Sequence, residues 1–203
     1  MNLYHRWYCG SGRWAKRLEV RVLGWVLRDA DLGGHPLEVG PGPGLVTDLL
    51  RQRVERLTSL EIDRRLAAAL SARLEGSNVR VVEGDGTAMP FADGEFSGAV
   101  SLFMLHHVPA VALQDRLLRE VCRVIRPGAL FVGADSTSSL AGRAAHILDT
   151  YCPVDPATFE RRLQAAGFVD VEVNTGRGAF RVTARRPELL VADAGRVEVG
   201  ARG

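Results

Sequence analysis

The chain has 203 residues, of which 46% are hydrophobic, and a formal net charge of +2 at pH 7. This length and apolar content predict one domain with a full core, and the small net charge gives no overall basic field of the kind that binds nucleic acid. No apolar run approaches the roughly 18 residues of a membrane span, and no hydrophobic signal region is expected at the N-terminus. The three cysteines are widely spaced, which suits a reducing, cytoplasmic location.

Residues 1–35 combine aromatic and basic side chains with one apolar helical face. An amphipathic helix packed on a sheet, with its arginines in solvent, explains this pattern. Contact with a membrane surface is an alternative, because basic and aromatic residues together suit a lipid-soluble substrate. The apolar face consists of Leu18, Val22, Trp25 and Val26.

A strand, a glycine-rich loop and a helix are predicted in succession over residues 36–53. Gly40, Gly42 and Gly44 leave the loop almost without side chains, so a ligand can approach bare backbone. A dinucleotide-binding fingerprint reads G-x-G-x-x-G, whereas this loop has Leu45 at the position of the third glycine. Glu38 would repel a pyrophosphate but suits an ammonium group, such as that of the methionyl end of S-adenosylmethionine. A plain tight turn between strand and helix is the alternative.

Two further strands are predicted to end in acidic residues at the same edge of a sheet. Residues 57–61 end at Glu61, whose carboxylate is placed to bond the two hydroxyls of a ribose. Residues 79–83 lead into Asp85, which can accept a hydrogen bond from an adenine amino group. Together with the glycine loop, these acids predict a pocket for an adenosine-containing cofactor.

The whole chain alternates between strands and helices until about residue 167. Strands are predicted at 37–40, 57–61, 79–83, 97–102 and 129–134, and helices at 45–54, 64–75, 113–125 and 157–166. Two last strands, 169–173 and 179–184, are typical of a hairpin. This order predicts a parallel sheet with helices on both faces and right-handed crossovers.

Five segments carry motifs in a fixed order: Leu37–Gly44, Leu60–Asp63, Gly84–Phe91, Phe96–His107 and Glu120–Gly128. In that order they resemble the class I S-adenosylmethionine-dependent methyltransferases of the small-molecule type. The chain is similar to the family that includes the ubiquinone/menaquinone-biosynthesis C-methyltransferases. The resemblance extends over most of the chain, to about residue 186.

The resemblance implies S-adenosylmethionine as the cofactor, S-adenosylhomocysteine as the product, and a Rossmann-like, doubly wound α/β sheet. That sheet would be mostly parallel, in the order 3-2-1-4-5-7-6, with one antiparallel strand near its C-terminal edge. Residues 36–186 would form the methyltransferase core, residues 1–35 a helical cap of the same domain, and residues 187–203 a tail. The implied cofactor-binding residues are Glu38, Gly40, Gly42, Gly44, Glu61, Ile62, Asp85, Gly86, Thr87, Leu102 and Phe103.

Methyl transfer to carbon or oxygen also requires a general base, and two histidines are candidates for it. His106 and His107 follow the fourth strand, and histidine has a suitable ordinary pKa. The pair can equally pack against or cap the next segment. Four residues after the fifth strand are candidates to line the acceptor pocket: His146, Asp149, Tyr151 and Cys152. No cluster of histidine and acidic residues suggests a metal, so the sequence predicts a metal-independent reaction.

The sequence favours a small, partly hydrophobic acceptor, such as a quinone, a phenolic metabolite, a lipid or a natural product. Methyltransferases that modify base amino groups commonly carry Asn- or Asp-Pro-Pro-Tyr/Phe after the fourth strand, whereas residues 102–105 read Leu-Phe-Met-Leu. We expect a small-molecule partner, no nucleic acid and no integral membrane contact. The oligomeric state stays open, and a homodimer is one possibility. The alternatives are an RNA or protein methyltransferase, a nucleotide-binding oxidoreductase, and a non-catalytic S-adenosylmethionine-binding protein.

Overall fold

The computed structural model describes residues 24–137, 150–176 and 178–188. Within these ranges the strands are β1 (Leu37–Val39), β2 (Leu57–Glu61), β3 (Val79–Glu83), β4 (Phe96–Leu102), β5 (Ile125–Ser136), β6 (Val169–Gly176) and β7 (Ala179–Arg185). The helices are α1 (Gly24–Val26), α2 (Leu45–Leu50), α3 (Arg64–Arg73), α4 (Val111–Val124) and α5 (Pro156–Ala165), and Leu105–His107 form a 3₁₀ turn.

The strands form one seven-stranded sheet in the order β3-β2-β1-β4-β5-β7-β6. All neighbours are parallel except β7, which runs antiparallel to both β5 and β6. The predicted fold class and strand order are therefore confirmed. The direction of winding reverses between β1 and β4, and such a switch point is where open α/β sheets bind their ligands.

The central strands are buried on both faces, which is why they appear in the sequence as short continuous apolar runs. Every residue of β1 and β2 is buried. One side of the sheet packs around Phe96, Phe131 and Phe180. The other side packs around Val100 and Val132. The helices thus cover both faces and leave the strand ends, with their loops, as the place for a site.

In the predicted helix 113–125, apolar residues recur at helical spacing from Leu113 and predict a buried face, but the buried stripe of α4 begins one position later. Leu117, Leu118 and Val121 are at most 2% exposed, as expected, but Leu113 is 36% exposed. The stripe with helical spacing begins at Gln114, which is fully buried although it is polar. The prediction is therefore wrong in the first turn, where the buried residue is the polar Gln114 and not Leu113.

Two predicted boundaries also shift, each for a local reason. The helix expected at 45–54 ends at Leu50, because the Asn78 side chain donates to the carbonyls of Arg51 and Val54 and so satisfies the backbone where the helix stops. The fifth strand begins at Ile125 rather than 129. Its pairing with β4 shifts register between that residue and Leu130, so the intervening turn residues bulge out within the strand.

The last residues of the predicted N-terminal helix pack on the sheet. Val26 is fully buried, and its carbonyl accepts a hydrogen bond from the Arg181 guanidinium of β7 at 2.8 Å. Residues 1–23, on which the cap and the membrane-surface alternatives depend, lie outside the described residues, as do His146, Asp149 and most of the tail. No helix in the described part of the chain is long and apolar enough to cross a membrane.

Candidate functional site

The loops that follow β1, β2, β3 and β4 meet at the carboxyl edge of the sheet. The Gly42 amide donates to the Glu61 carboxylate at 2.9 Å, which joins the first two loops. The Gly84 amide donates to the backbone carbonyl of Glu61 at 2.9 Å, which brings in the third. The Met104 side chain, after β4, lies directly over Gly40. The fold therefore brings the predicted loops together at the switch point.

The three glycines of the first loop have different physical roles. All three have left-handed backbone angles, with φ of +74° at Gly40, +55° at Gly42 and +85° at Gly44. A side chain on the first would overlap Met104, and one on the third would overlap Leu70 of α3. A side chain on Gly42 would meet no atom within 4 Å. Only this middle glycine presents bare backbone to open space, where a ligand can lie.

Glu61 is buried at the end of β2 and organises the edge of this space. One of its carboxylate oxygens accepts from the Gly42 amide and the other from the Asp63 amide, each at 2.9 Å. A carboxylate has about four lone-pair positions, so both oxygens can still accept from a ligand. The next residue, Ile62, is 70% exposed at the same edge.

The loop after β3 is held in shape by its own side chains and by α4. Asp85 accepts from the Thr87 amide at 2.7 Å, which closes a tight turn. A side chain on Gly86 would come within 2.9 Å of Leu117, so the loop packs closely on α4. Glu120 of the same helix accepts from the Met89 amide at 2.8 Å. The loop is thus preorganised, and Asp85 itself is exposed.

Glu38 lies within β1, where its carboxylate is 3% exposed. Burial raises the pKa of this carboxyl to about 7, although hydrogen bonds from Ser59 and Thr47 favour the charged form. Both hydroxyls donate to the same oxygen at 2.7 Å. The group can therefore gain or lose a proton near neutral pH, and a cation placed beside it would favour the carboxylate.

Glu38→Gln is expected to remove a pH dependence of stability that the unmodified chain shows between pH 4.5 and about 7. The native carboxyl keeps its proton over this range while the unfolded one loses it. The free energy of unfolding of the unmodified chain therefore falls as the pH rises, and it levels off above about 7. Between pH 4.5 and about 7, the free energy of unfolding of the unmodified chain should fall by on the order of 3 kcal/mol relative to that of the variant.

Urea unfolding at several pH values measures this difference. Glu83→Gln, at the exposed end of β3, is the matched control and should follow the unmodified chain. A difference between Glu38→Gln and the unmodified chain that stays constant from pH 5 to 8 would contradict the burial argument.

The two candidate bases occupy different environments. His106 is 5% exposed; its ring Nδ1 lies 2.5 Å from one oxygen of Asp135, and its backbone amide donates to the other at 3.1 Å. His107 is half-buried, with its ring centroid 4.2 Å from that of His106. Sequence reasoning missed Asp135 as a partner. Asp135 could be recognised in the sequence as an acid at the end of the fifth strand. Its contact with the 3₁₀ turn could not, because that contact depends on the pairing of β4 with β5.

Phe103, immediately after β4, has a left-handed backbone with φ of +55°. This conformation is costly for a residue with a bulky side chain, and such residues cluster at functional sites. The Phe103 amide donates to the Ala134 carbonyl of β5 at 2.7 Å, which holds the bend in place. Leu102, the preceding residue, pairs with Ala134 in the sheet. The bend directs the chain from β4 into the turn that carries His106.

Gln114 ties the segment before α5 to this turn. Its side-chain amide donates to the carbonyls of Cys152 at 2.8 Å and Leu105 at 3.1 Å. The Cys152 amide in turn donates to the His106 carbonyl at 2.8 Å, and the Tyr151 ring lies edge-on to the His106 ring at 5.7 Å. Two of the four predicted pocket residues therefore reach the candidate base.

No three histidine, cysteine or acidic side chains converge as a metal site among residues 24–137, 150–176 and 178–188. Metal independence stays a prediction.

Comparison with known proteins shows what this part of the chain is similar to. A family described as "Methyltransferase domain" matches residues 37–133. An uncharacterized methyltransferase of Mycobacterium sp. (strain KMS) is 37% identical over 101 residues, which cover 49% of this chain and 38% of that protein. The ribosomal RNA small subunit methyltransferase A of Bordetella pertussis is 32% identical over 139 residues, 61% of this chain and 51% of that protein. A solved S-adenosylmethionine-dependent methyltransferase from Aquifex aeolicus aligns with a TM-score of 0.71 at 20% identity, over 91% of this chain and 98% of that one.

The chain spans about half the length, or less, of the curated relatives that it matches. The family match contains the glycine loop, Glu61, the loop after β3 and the turn with His106. The structural similarity, at its low identity, establishes the fold of the whole described part. Residues 37–133 therefore resemble a methyltransferase domain, and the described part has the same fold as the solved S-adenosylmethionine-dependent methyltransferase.

Proposed function

We propose that this chain transfers a methyl group from S-adenosylmethionine to a small, partly hydrophobic acceptor. The observation that carries the proposal is the bare backbone of Gly42, which faces open space beside the buried Glu61 carboxylate. The sulfonium of the cofactor supplies an electrophilic methyl group. The task of the protein is then to hold both reactants in line in a pocket without water.

Four side chains are proposed to hold the cofactor. Glu61 would accept from the ribose hydroxyls with the lone pairs that the backbone leaves, and Asp85 would accept from the adenine amino group. Ile62 offers an exposed apolar surface to the adenine ring. Glu38 would balance the methionyl ammonium and release its proton in doing so. The remaining cofactor-binding predictions are Gly40, Gly44, Gly86, Thr87, Leu102 and Phe103.

The acceptor class is proposed from the segment after β4. Residues 102–105 are apolar and offer no side-chain amide to hold the exocyclic amine of a base. An acceptor beside them gains from an apolar body, as a quinone, a phenolic metabolite, a lipid or a natural product has. The resemblance to the ubiquinone/menaquinone C-methyltransferases supports the same choice.

An RNA acceptor is the rival proposal, and one observation favours it. The ribosomal RNA methyltransferase of Bordetella pertussis is 32% identical to this chain over 139 residues. RNA binding of this kind needs a basic surface beside the cleft and is lost steeply as salt rises. Strong retention on heparin that salt abolishes would therefore favour the rival.

Methyl-labelled S-adenosylmethionine, incubated with the protein and a cell extract, tests the proposal directly. We expect label in the small-molecule fraction that organic solvent extracts. Label that stays with the RNA fraction and is released by ribonuclease digestion would contradict the proposed small-molecule acceptor and support an RNA acceptor. Gly42→Val is the control, because it should remove label from every fraction if the glycine loop holds the cofactor.

A further inference from the structure

One arginine reaches from α3 to the glycine loop that follows β1. The Arg73 guanidinium donates with Nη2 to the backbone carbonyls of Pro43 and Gly44, at 3.3 Å each. Its other terminal nitrogen, Nη1, donates to the Asp48 carboxylate of α2 at 2.7 Å. A guanidinium carries five donors in a rigid plane, so this one side chain holds the loop and the helix after it at the same time.

Arg73 acts at the corner where the loop turns into α2. Gly44 is the N-cap of α2 and has φ of +85°, so the residue at this corner has no side chain that could hold it. Leu70 lies against the same glycine and is 2% exposed. Because it precedes Arg73 by one turn of α3, the two residues share one face of that helix. An apolar contact and a charged one from a single helix face therefore fix the end of the loop.

The contact with Arg73 fixes the orientation of one peptide in the loop. The Pro43 carbonyl and the Gly44 amide belong to the same planar peptide, so they point to opposite sides of it. The carbonyl is bound by Arg73, and the amide donates to the Pro41 carbonyl at 3.0 Å. The peptide cannot rotate without losing both hydrogen bonds. Gly42 lies between the two ends of the second bond, so its position depends on that peptide.

We infer that Arg73 is a positioning residue for the cofactor: by holding the carbonyls of Pro43 and Gly44, it keeps the glycine loop in the shape that presents Gly42 to the ligand. This inference rests on the proposed function, because it assigns the side chain that maintains the proposed cofactor loop. Asp48 orients the guanidinium through their ion pair. The Arg73 and Asp48 side chains are 44% and 30% exposed, so the clamp lies at the surface, and its loss should leave the core intact.

Arg51 offers a matched comparison, because it shares the carboxylate of Asp48 but not the loop. Its Nε lies 3.3 Å from Oδ1 of Asp48, whereas Arg73 binds Oδ2. The Arg51 side chain is 35% exposed, close to the value for Arg73. Within the described part of the chain it donates no hydrogen bond to the glycine loop. Removing either arginine therefore removes one ion pair of Asp48, but only the loss of Arg73 releases the loop.

Hydrogen exchange of the Gly42 and Gly44 amides, followed by NMR on the full chain without ligand, tests the clamp itself. Both amides donate within the loop or to its neighbour, so their exchange reports how often the loop opens. We expect Arg73→Met to speed the exchange of both by roughly 5- to 30-fold, and Arg73→Lys to restore part of the protection. The Gly84 amide, outside the loop, should not change. Unchanged exchange in Arg73→Met, or equal acceleration in Arg51→Met, would overturn the inference.

Calorimetric titration with S-adenosylhomocysteine tests whether the clamp serves the cofactor. We expect the Kd to rise by roughly 5- to 30-fold in Arg73→Met, to lie between the two in Arg73→Lys, and to stay unchanged in Arg51→Met. A structural role alone would lower stability without this difference among folded variants. An unchanged Kd in Arg73→Met would overturn the inference even if the loop opens.

The two measurements separate this inference from the proposed function. If the unmodified chain binds no S-adenosylhomocysteine, the proposed function fails, and with it the role of Arg73 toward the cofactor. Hydrogen exchange then still decides whether Arg73 holds the loop. If the unmodified chain binds and only the Arg73 variants behave like Arg51→Met, the proposed function stands and the clamp fails.

Discussion

Gly42→Val is expected to abolish the binding of S-adenosylhomocysteine while the chain stays folded. The glycine has φ of +55°, and its missing side chain faces open space, so the fold does not depend on packing there. A valine would fill the space that the ligand needs. We expect the Kd to rise by roughly 100-fold or more, which corresponds to about 2.7 kcal/mol. Calorimetric titration of the purified variant measures the change.

Gly76→Val is the matched control for this prediction. Gly76 also has a left-handed backbone, with φ of +74°, and also has no atom within 4 Å of an added side chain. It precedes the amino end of β3, at the opposite end of the strand from the site. Both variants should lose stability through the same backbone strain, about 1–2 kcal/mol. Equal loss of binding in the two variants would mean that strain, and not the site, explains the result.

Glu61→Ala is expected to weaken cofactor binding by about 1–3 kcal/mol, or roughly 5- to 150-fold in Kd. The change removes the acceptor for the ribose hydroxyls. It also removes the acceptor of the Gly42 and Asp63 amides, which hold the two loops together. Glu61→Gln keeps one side-chain oxygen, so it should bind more tightly than Glu61→Ala and more weakly than the unmodified chain.

Glu83→Ala is the control for the second prediction. Glu83 lies directly opposite Glu61 in the pairing of β2 with β3, yet its side chain is 55% exposed. The Arg64 guanidinium lies 4.0 Å from its carboxylate. We expect no change in cofactor affinity. If Glu83→Ala weakens binding as much as Glu61→Ala, the ribose contact has been assigned to the wrong strand.

The fold could be predicted from the sequence because its signals are local. Short apolar runs that end in glycine or an acid mark buried parallel strands, and their alternation with helices leaves few possible topologies. The strand order itself came from the resemblance and is confirmed. The wrong details arose where tertiary contacts override local pattern. Gln114 replaces Leu113 in the buried stripe, and Asn78 satisfies the carbonyls at the end of α2.

For the candidate site, the sequence predicted which loops meet but not every contact between them. The proximity of Gly42 and Glu61 could be predicted because each lies at one strand end, and the structure brings them within hydrogen-bond distance. Their contacts with a cofactor stay a prediction. Asp135 could not be recognised as the partner of His106, because their contact joins residues 29 positions apart through the pairing of β4 with β5. The bend at Phe103 was also invisible, since no sequence pattern marks a bulky residue with a left-handed backbone.

Calorimetric titration with S-adenosylhomocysteine, and with NAD as the comparison, tests the cofactor assignment most directly. The account predicts binding of S-adenosylhomocysteine in the micromolar range and no binding of NAD. The G-x-G-x-G spacing lacks the third glycine of a dinucleotide fingerprint, so we expect no pyrophosphate in the loop. Binding of NAD in preference to S-adenosylhomocysteine would contradict the account. Binding of neither would contradict a working cofactor pocket in this chain.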